Sequence, residues 1–82
     1  MYCFHYLRNF QVMVEVFKTN VLSYSEALRI LNKLEMEFPS FKMNFDLEDC
    51  DKILRVEGRS IVPERIISIL NSRNYQCEVL LS

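Results

Sequence analysis

Residues 19–26 constrain the fold of this chain most, because a strand pattern ends there and a helix pattern begins. Ser23 followed three residues later by Glu26 is a capping box, in which each side chain satisfies a free backbone N–H of the other residue at a helix start. The apolar residues that follow recur at spacings of three and four, the period of one buried helical face. They are Ala27, Leu28, Leu31, Leu34 and Phe38, and Pro39 ends the run. The pattern predicts a helix over residues 24–38.

The alternation in residues 10–18 predicts the first strand. One face of this strand consists of valines and is expected to lie against the helices, whereas the mixed face is expected to be open to solvent. The valines are Val12, Val14 and Val16, and the mixed face is Met13, Glu15 and Phe17. Residues 2–8 precede this strand and could either extend it or lie as an arm against another subunit.

Two further strands and a second helix follow at short intervals. Residues 41–47 alternate apolar and polar side chains, and residues 52–57 resume the alternation until Gly58, which we expect to end the strand. Pro63 is a favoured first helical residue, because its missing N–H would have had no partner there. Asn74 can adopt the left-handed conformation that ends a helix.

The last strand is predicted over residues 75–81, with Cys77, Val79 and Leu81 facing inward. The order of elements is then strand, helix, strand, strand, helix, strand. Two such units with right-handed crossovers build a four-stranded antiparallel sheet of order 4-1-3-2 with both helices on one face. The expected fold is α+β, a ferredoxin-like βαββαβ sandwich. One domain covers residues 1–82, with residues 1–9 as an N-terminal arm or strand extension.

The charge balance argues against a nucleic acid or an anionic membrane as partner, because both attract clustered Lys and Arg. The formal net charge is −1, and the 10 basic residues are scattered. No apolar run approaches the roughly 20 residues that span a bilayer. The N-terminus lacks the charged leader and continuous apolar core of an export signal. We therefore expect a cytoplasmic protein.

The cysteines are three in number and widely spaced, which fits neither a disulfide framework nor a CxxC site. Cys3 and His5 lie two residues apart, a spacing that can place both on one face of a strand. Cys50 lies among acidic residues in the turn between strands two and three. These three residues are weak candidates for metal ligands, and we expect no resident metal or other cofactor. With one histidine and no nucleophile–base spacing, we also expect no catalysis.

Several segments resemble the heavy-metal-associated domains, the fold of small copper chaperones and of the N-terminal modules of metal-transporting ATPases. The matching segments are residues 17–21 (FKTNV), 45–47 (FDL), 51–58 (DKILRVEG) and 63–67 (PERII). The third-strand segment is most similar to the bacterial members. The resemblance covers roughly residues 12–81. It implies the ferredoxin-like fold and a metal loop between strand one and helix one.

In that family the metal loop carries two cysteines in a CxxC spacing, which give a soft ion such as Cu(I) two thiolates at a helix start. The resemblance places Ser23 and Glu26 at the two ligand positions. A hydroxyl and a carboxylate cannot replace thiolates for Cu(I) or Zn(II). The resemblance therefore implies a degenerate metal loop, in which this pair caps the helix instead.

The open sheet face is the candidate interaction surface, because apolar patches with charged rims often mark association sites. The residues expected there are Met13, Phe17, Ile53 and Leu80.

These observations favour a non-catalytic binding module of the heavy-metal-associated type that binds a protein partner or a second copy. The alternative is a copper or zinc carrier or sensor that uses Cys50 or the Cys3–His5 pair, including across a dimer. A small-molecule regulatory domain is a third hypothesis, by analogy with other ferredoxin-like folds.

Overall fold

Antiparallel pairing joins four strands into one sheet in the computed structural model, which describes residues 12–80. The elements are β1 (Val12–Thr19), α1 (Tyr24–Glu37), β2 (Lys42–Asp46), β3 (Ile53–Arg59), α2 (Pro63–Ser72) and β4 (Cys77–Val79). The strand order is β2-β3-β1-β4, which is β4-β1-β3-β2 when read from the other edge. The predicted α+β class, with a four-stranded antiparallel sheet and two helices, is confirmed. Neither described helix has the length and apolar content to cross a membrane.

The face of β1 that packs against the helices is the opposite of the predicted one. Phe17 has 0% of its surface exposed, and its register partners are Leu54 on β3 and Val79 on β4. Side chains alternate along a strand, so Met13 shares the face of Phe17, and the valines point to the open side. The buried residues of both helices form one core with Phe17 and Leu54. Both helices therefore lie over the same face of the sheet.

The buried stripe of α1 is rotated by comparison with the prediction. Ala27, Ile30 and Leu34 are buried, whereas Leu28 is 60% exposed. Ala27, Ile30 and Leu34 are three and four residues apart, so they lie on one face of the helix. Because this face packs against the sheet, Leu28 points away from it. The helix ends as predicted before a proline, since the N–H of Phe38 donates to the Leu34 carbonyl at 2.7 Å.

The predicted ends of α2 agree with the structure. The helix begins at Pro63, and Asn74 has a positive φ of 70° after its last turn. Ile66 and Leu70 are its fully buried residues. Val62, the N-cap residue, is exposed because it precedes the first helical turn.

Gly58 lies inside β3 and does not end it, contrary to the prediction. The strand continues to Arg59, and the positive φ that turns the chain is at Ser60, with a value of 57°. A Cβ atom at position 58 would lie 2.9 Å from Cε1 of Phe41. The glycine is therefore needed for close packing of the Phe41 ring and not for a turn.

Candidate functional site

Thr19 anchors the loop between β1 and α1 to the β2–β3 hairpin. Its backbone N–H donates to the Asp51 carbonyl at 3.0 Å, and its hydroxyl donates to the Lys52 carbonyl at 2.6 Å. The same hydroxyl oxygen accepts from the N–H of Val21 at 3.2 Å. Thr19 is the buried polar residue of the described chain, and these three hydrogen bonds account for its burial. The loop and the hairpin therefore form one connected end of the molecule.

Asn20 ties the same loop to the chain segment that leads into β4. The Oδ1 atom of Asn20 accepts from the N–H of Gln76 at 2.8 Å. Next to this bond, the pKa of Tyr75 is raised above its ordinary value, first by desolvation and then by the nearby Glu26 carboxylate. Glu26, in the first turn of α1, therefore lies close to Tyr75, which follows α2 in the chain.

Ser23 is the N-cap of α1. Its Oγ accepts from the N–H of Glu26 at 3.3 Å and lies 3.2 Å from Oγ of Ser25. Within residues 12–80, no bond returns from the Glu26 carboxylate to the Ser23 N–H, so only half of the predicted capping box forms. The cap bond itself is confirmed.

The donor set at positions 23 and 26 does not fit a soft metal ion. Ser23 supplies a neutral hydroxyl that is already used as a cap, and Glu26 supplies a hard carboxylate. Cu(I) prefers thiolates, which neither side chain can provide. No metal chemistry follows from this pair of residues.

The β2–β3 hairpin gathers Asp49, Cys50 and Asp51, whose potential ligand atoms all lie within 4.8 Å of one another. Part of this arrangement is turn chemistry, because Oδ1 of Asp49 accepts from the N–H of Asp51 at 2.8 Å. The Asp51 carboxylate also faces Nζ of Lys18 at 3.9 Å. The ammonium of Lys52 donates to the Leu47 carbonyl at 2.9 Å within the same turn.

Cys77 lies at the same end of the molecule as Cys50, which the sequence does not indicate. It is the register partner of Thr19 and is half-buried. Burial first, and then the Glu78 carboxylate, raise the pKa of the Cys77 thiol to about 12. The thiol is therefore protonated at neutral pH. The Cys3–His5 pair lies outside the described residues.

The open face of the sheet contains a stripe of valines. The predicted interaction face is wrong at Phe17, which is buried, and at Met13, which lies on the helix side of β1. Val12 and Val14 are exposed in their place, with 47% of Val14 accessible. Leu80 lies beside Val16, since its N–H donates to the Val16 carbonyl at 2.8 Å. The valine stripe consists of Val12, Val14, Val16 and Leu80. Ile53 shares the open face at the far end of β3.

The charged half of the open face lies on β2 and β3, next to the valine stripe. The register places Glu57 between Lys42 and Val14, and Arg55 between Asn44 and Val16. A shallow pocket of about 410 Å³ opens at the end of this half. It is lined by Val12, Ser40, Lys42, Glu57, Gly58 and Arg59. The face therefore combines an apolar stripe with a charged border, although the sequence pattern misassigns the valines to the core.

No family of known proteins, no curated protein and no solved structure matches this chain.

Proposed function

We propose that this chain is a non-catalytic binding module that recognises a protein partner or a second copy through the open face of its sheet. We also propose that its fold is ferredoxin-like and that its loop between β1 and α1 is a degenerate form of the heavy-metal-associated loop. The βαββαβ order of elements and the strand order β2-β3-β1-β4 support the fold assignment. The capping of α1 by Ser23, where a thiolate would be needed, supports the loss of the metal site.

The valine stripe is the observation that carries the proposed function. β-branched side chains on a pleated surface stabilise a sheet when they are half-buried, but Val12 and Val14 are both exposed on the open face. The charged side chains beside them, Glu57 and Arg55, can supply a polar rim around an apolar centre. Association surfaces commonly have this composition.

The test compares two glutamate substitutions at exposed apolar residues. Val14→Glu places a charge in the stripe, whereas Leu28→Glu places the same charge on the outer side of α1, where Leu28 is 60% exposed. Sedimentation of the full chain over a range of concentrations measures self-association, and affinity capture from cell extract with each variant measures binding to other proteins. We expect Val14→Glu to abolish the association and Leu28→Glu to preserve it. A strict monomer that captures no protein, or an association insensitive to Val14→Glu, would contradict the proposal.

The second candidate is a metal carrier or sensor that uses the hairpin, because Asp49, Cys50 and Asp51 converge within 4.8 Å. One thiol and two carboxylates suit a borderline ion such as Zn(II) better than Cu(I). Titration of the reduced protein with each ion against a competing chelator tests this candidate. Binding of one ion per chain that is lost in Cys50→Ser and kept in Cys77→Ala would favour it over the binding-module proposal.

A further inference from the structure

The open face of the sheet is organised in rows of side chains that lie next to each other across the strands. Each of the two central rows has a charged side chain from β3, a valine from β1 and a polar side chain from β2. The β3 charges are opposite, with Glu57 in one row and Arg55 in the next. The Glu57 row is Lys42, Glu57 and Val14, and the Arg55 row is Asn44, Arg55 and Val16.

The charges of Glu57 and Arg55 are not used in ion pairs within the described part of the chain. Neither of the two ion pairs found among residues 12–80 includes either side chain. Glu57 has Lys42 as its register partner on β2 but forms no ion pair with it. Both charged groups therefore keep, within this part of the chain, the capacity to pair with an opposite charge on another molecule.

A twofold axis between the two central rows makes the open face complementary to itself. The axis runs across the strands, in the plane between two stacked sheets, so each strand faces the same strand of the other copy in the opposite direction. Such a rotation exchanges the two rows. Glu57 then faces the partner's Arg55, and Arg55 faces the partner's Glu57, as in any interface with this symmetry. Val14 faces the partner's Val16, so no like charges meet on β3 and apolar groups meet on β1.

The same axis also gives the largest overlap of the two faces. An axis between Glu57 and Arg55 places all four rows of the open face on four rows of the second copy, whereas an axis through the Arg55 row would place the two arginines against each other. Stacked sheets cross at about 30°, so the central rows make the closest contacts. The four open-face side chains of β3 are Arg59, Glu57, Arg55 and Ile53.

We propose that the partner of the open face is a second copy of this chain, stacked face to face and antiparallel about this twofold axis. The inference rests on the proposed function, because it names the occupant of the surface to which that function assigns binding. Contact between the two valine stripes removes apolar surface from water. The two symmetric pairs of Glu57 with Arg55 fix the register and the orientation. The face consists of four short strands, so the dimer is a reversible one that dissociates on dilution.

Charge reversal on β3 tests the proposal in the full chain. Sedimentation under reducing conditions, over a range of concentrations, gives the dissociation constant of the dimer. Arg55→Glu and Glu57→Arg each bring like charges together in the antiparallel dimer, so each variant alone should dimerise at least about tenfold more weakly than the natural chain. An equimolar mixture of the two variants restores both attractive pairs and should dimerise about as tightly as the natural chain. Arg59→Glu is the matched control, because it reverses the same charge in an outer row, and it should keep most of the affinity.

The outcomes separate this inference from the proposed function. A mixture of the two variants, each folded by circular dichroism, that stays monomeric would overturn the inference, as would a dimer that Arg55→Glu does not weaken. A natural chain that is monomeric throughout, but that captures a protein in a manner abolished by Val14→Glu, would overturn the inference while the proposed function stands. Dimerisation that is insensitive both to the charge reversals and to Val14→Glu would overturn both.

Discussion

The ring of Phe41 packs directly on the backbone of Gly58 and is also stacked against the ring of Phe38. The ring centroids of Phe38 and Phe41 are 5.0 Å apart with an interplanar angle of 8°. The guanidinium carbon of Arg65 lies 4.9 Å from the centroid of Phe38. Strand β3, the segment before β2 and the first turn of α2 are therefore joined through one column of stacked groups.

Gly58→Ala should lower the free energy of unfolding by about 1–3 kcal/mol, because the added methyl group would overlap the Phe41 ring. The ring cannot move away freely, since Phe38 is stacked against it. Urea denaturation measures the change. Adding Phe41→Leu to Gly58→Ala should recover part of the loss in a double-mutant cycle. An unchanged unfolding free energy in Gly58→Ala would mean that the column adapts without cost.

Thr19→Val should destabilise the protein by about 1–3 kcal/mol although it preserves the shape of the side chain. The change leaves the Val21 N–H and the Lys52 carbonyl without their partner hydroxyl. Thr19→Ser keeps the hydroxyl and is the matched control. Thermal and urea unfolding should rank natural Thr first, then Ser, then Val. Equal stability of the Ser and Val variants would show that the hydroxyl does not hold the loop.

Replacing both Ser23 and Glu26 with cysteine should create a binding site for Cu(I) in a loop that otherwise lacks thiolates. The two positions are the N-cap and the third residue of α1, and the cap hydrogen bond already brings Oγ of Ser23 to 3.3 Å from the Glu26 nitrogen. Competition with a chelator measures the affinity. Ser23→Cys alone supplies one thiolate and should compete poorly. If the natural chain competes as well as the double variant, the loop is not degenerate.

Cys77 should react slowly with iodoacetamide at pH 8, because burial raises the pKa of its thiol to about 12. In a Cys3→Ser background the exposed Cys50 should be alkylated first, as mass spectrometry would show. Rapid modification of both thiols in the folded protein would contradict the burial of Cys77.

The raised pKa of the Cys77 thiol also predicts that the protein loses stability at high pH. The Cys77 pKa in the folded state is above the ordinary value of 9.0, so its contribution is complete below pH 9 and is lost as the pH rises towards about 12. The stability of the natural chain should therefore fall more steeply over this range than that of Cys77→Ala. Parallel pH profiles for the two proteins would contradict the prediction.

The sequence predicts the elements of this fold better than it predicts their faces. The cap at Ser23 and the start of α2 at Pro63 are local signals, since each depends on backbone groups within one helical turn. Both are confirmed. The face of β1 is a tertiary property, because both faces of that strand carry apolar residues and alternation alone does not orient them. The register of Phe17 with Leu54 and Val79 decides the question.

In the candidate site, too, the sequence predicts local features better than contacts between distant residues. That the hairpin meets the β1–α1 loop follows from the predicted topology, but the bridging role of Thr19 depends on contacts 33 residues away in sequence. Gly58 is ambiguous for a related reason. A lone glycine after a strand pattern suits a turn as well as a close contact, and only the position of Phe41 distinguishes them.

The hydrogen bonds that hold the β1–α1 loop come from Thr19 and Asn20, whereas the cap hydrogen bond of α1 joins Ser23 and Glu26. Anchorage of the loop and capping of the helix are thus encoded by different residues. Substitutions at positions 23 and 26 can change what the loop binds while the attachments to the hairpin and to Gln76 persist. Such a division makes the loop evolvable, because two substitutions can change the chemistry at the helix start on an unchanged scaffold.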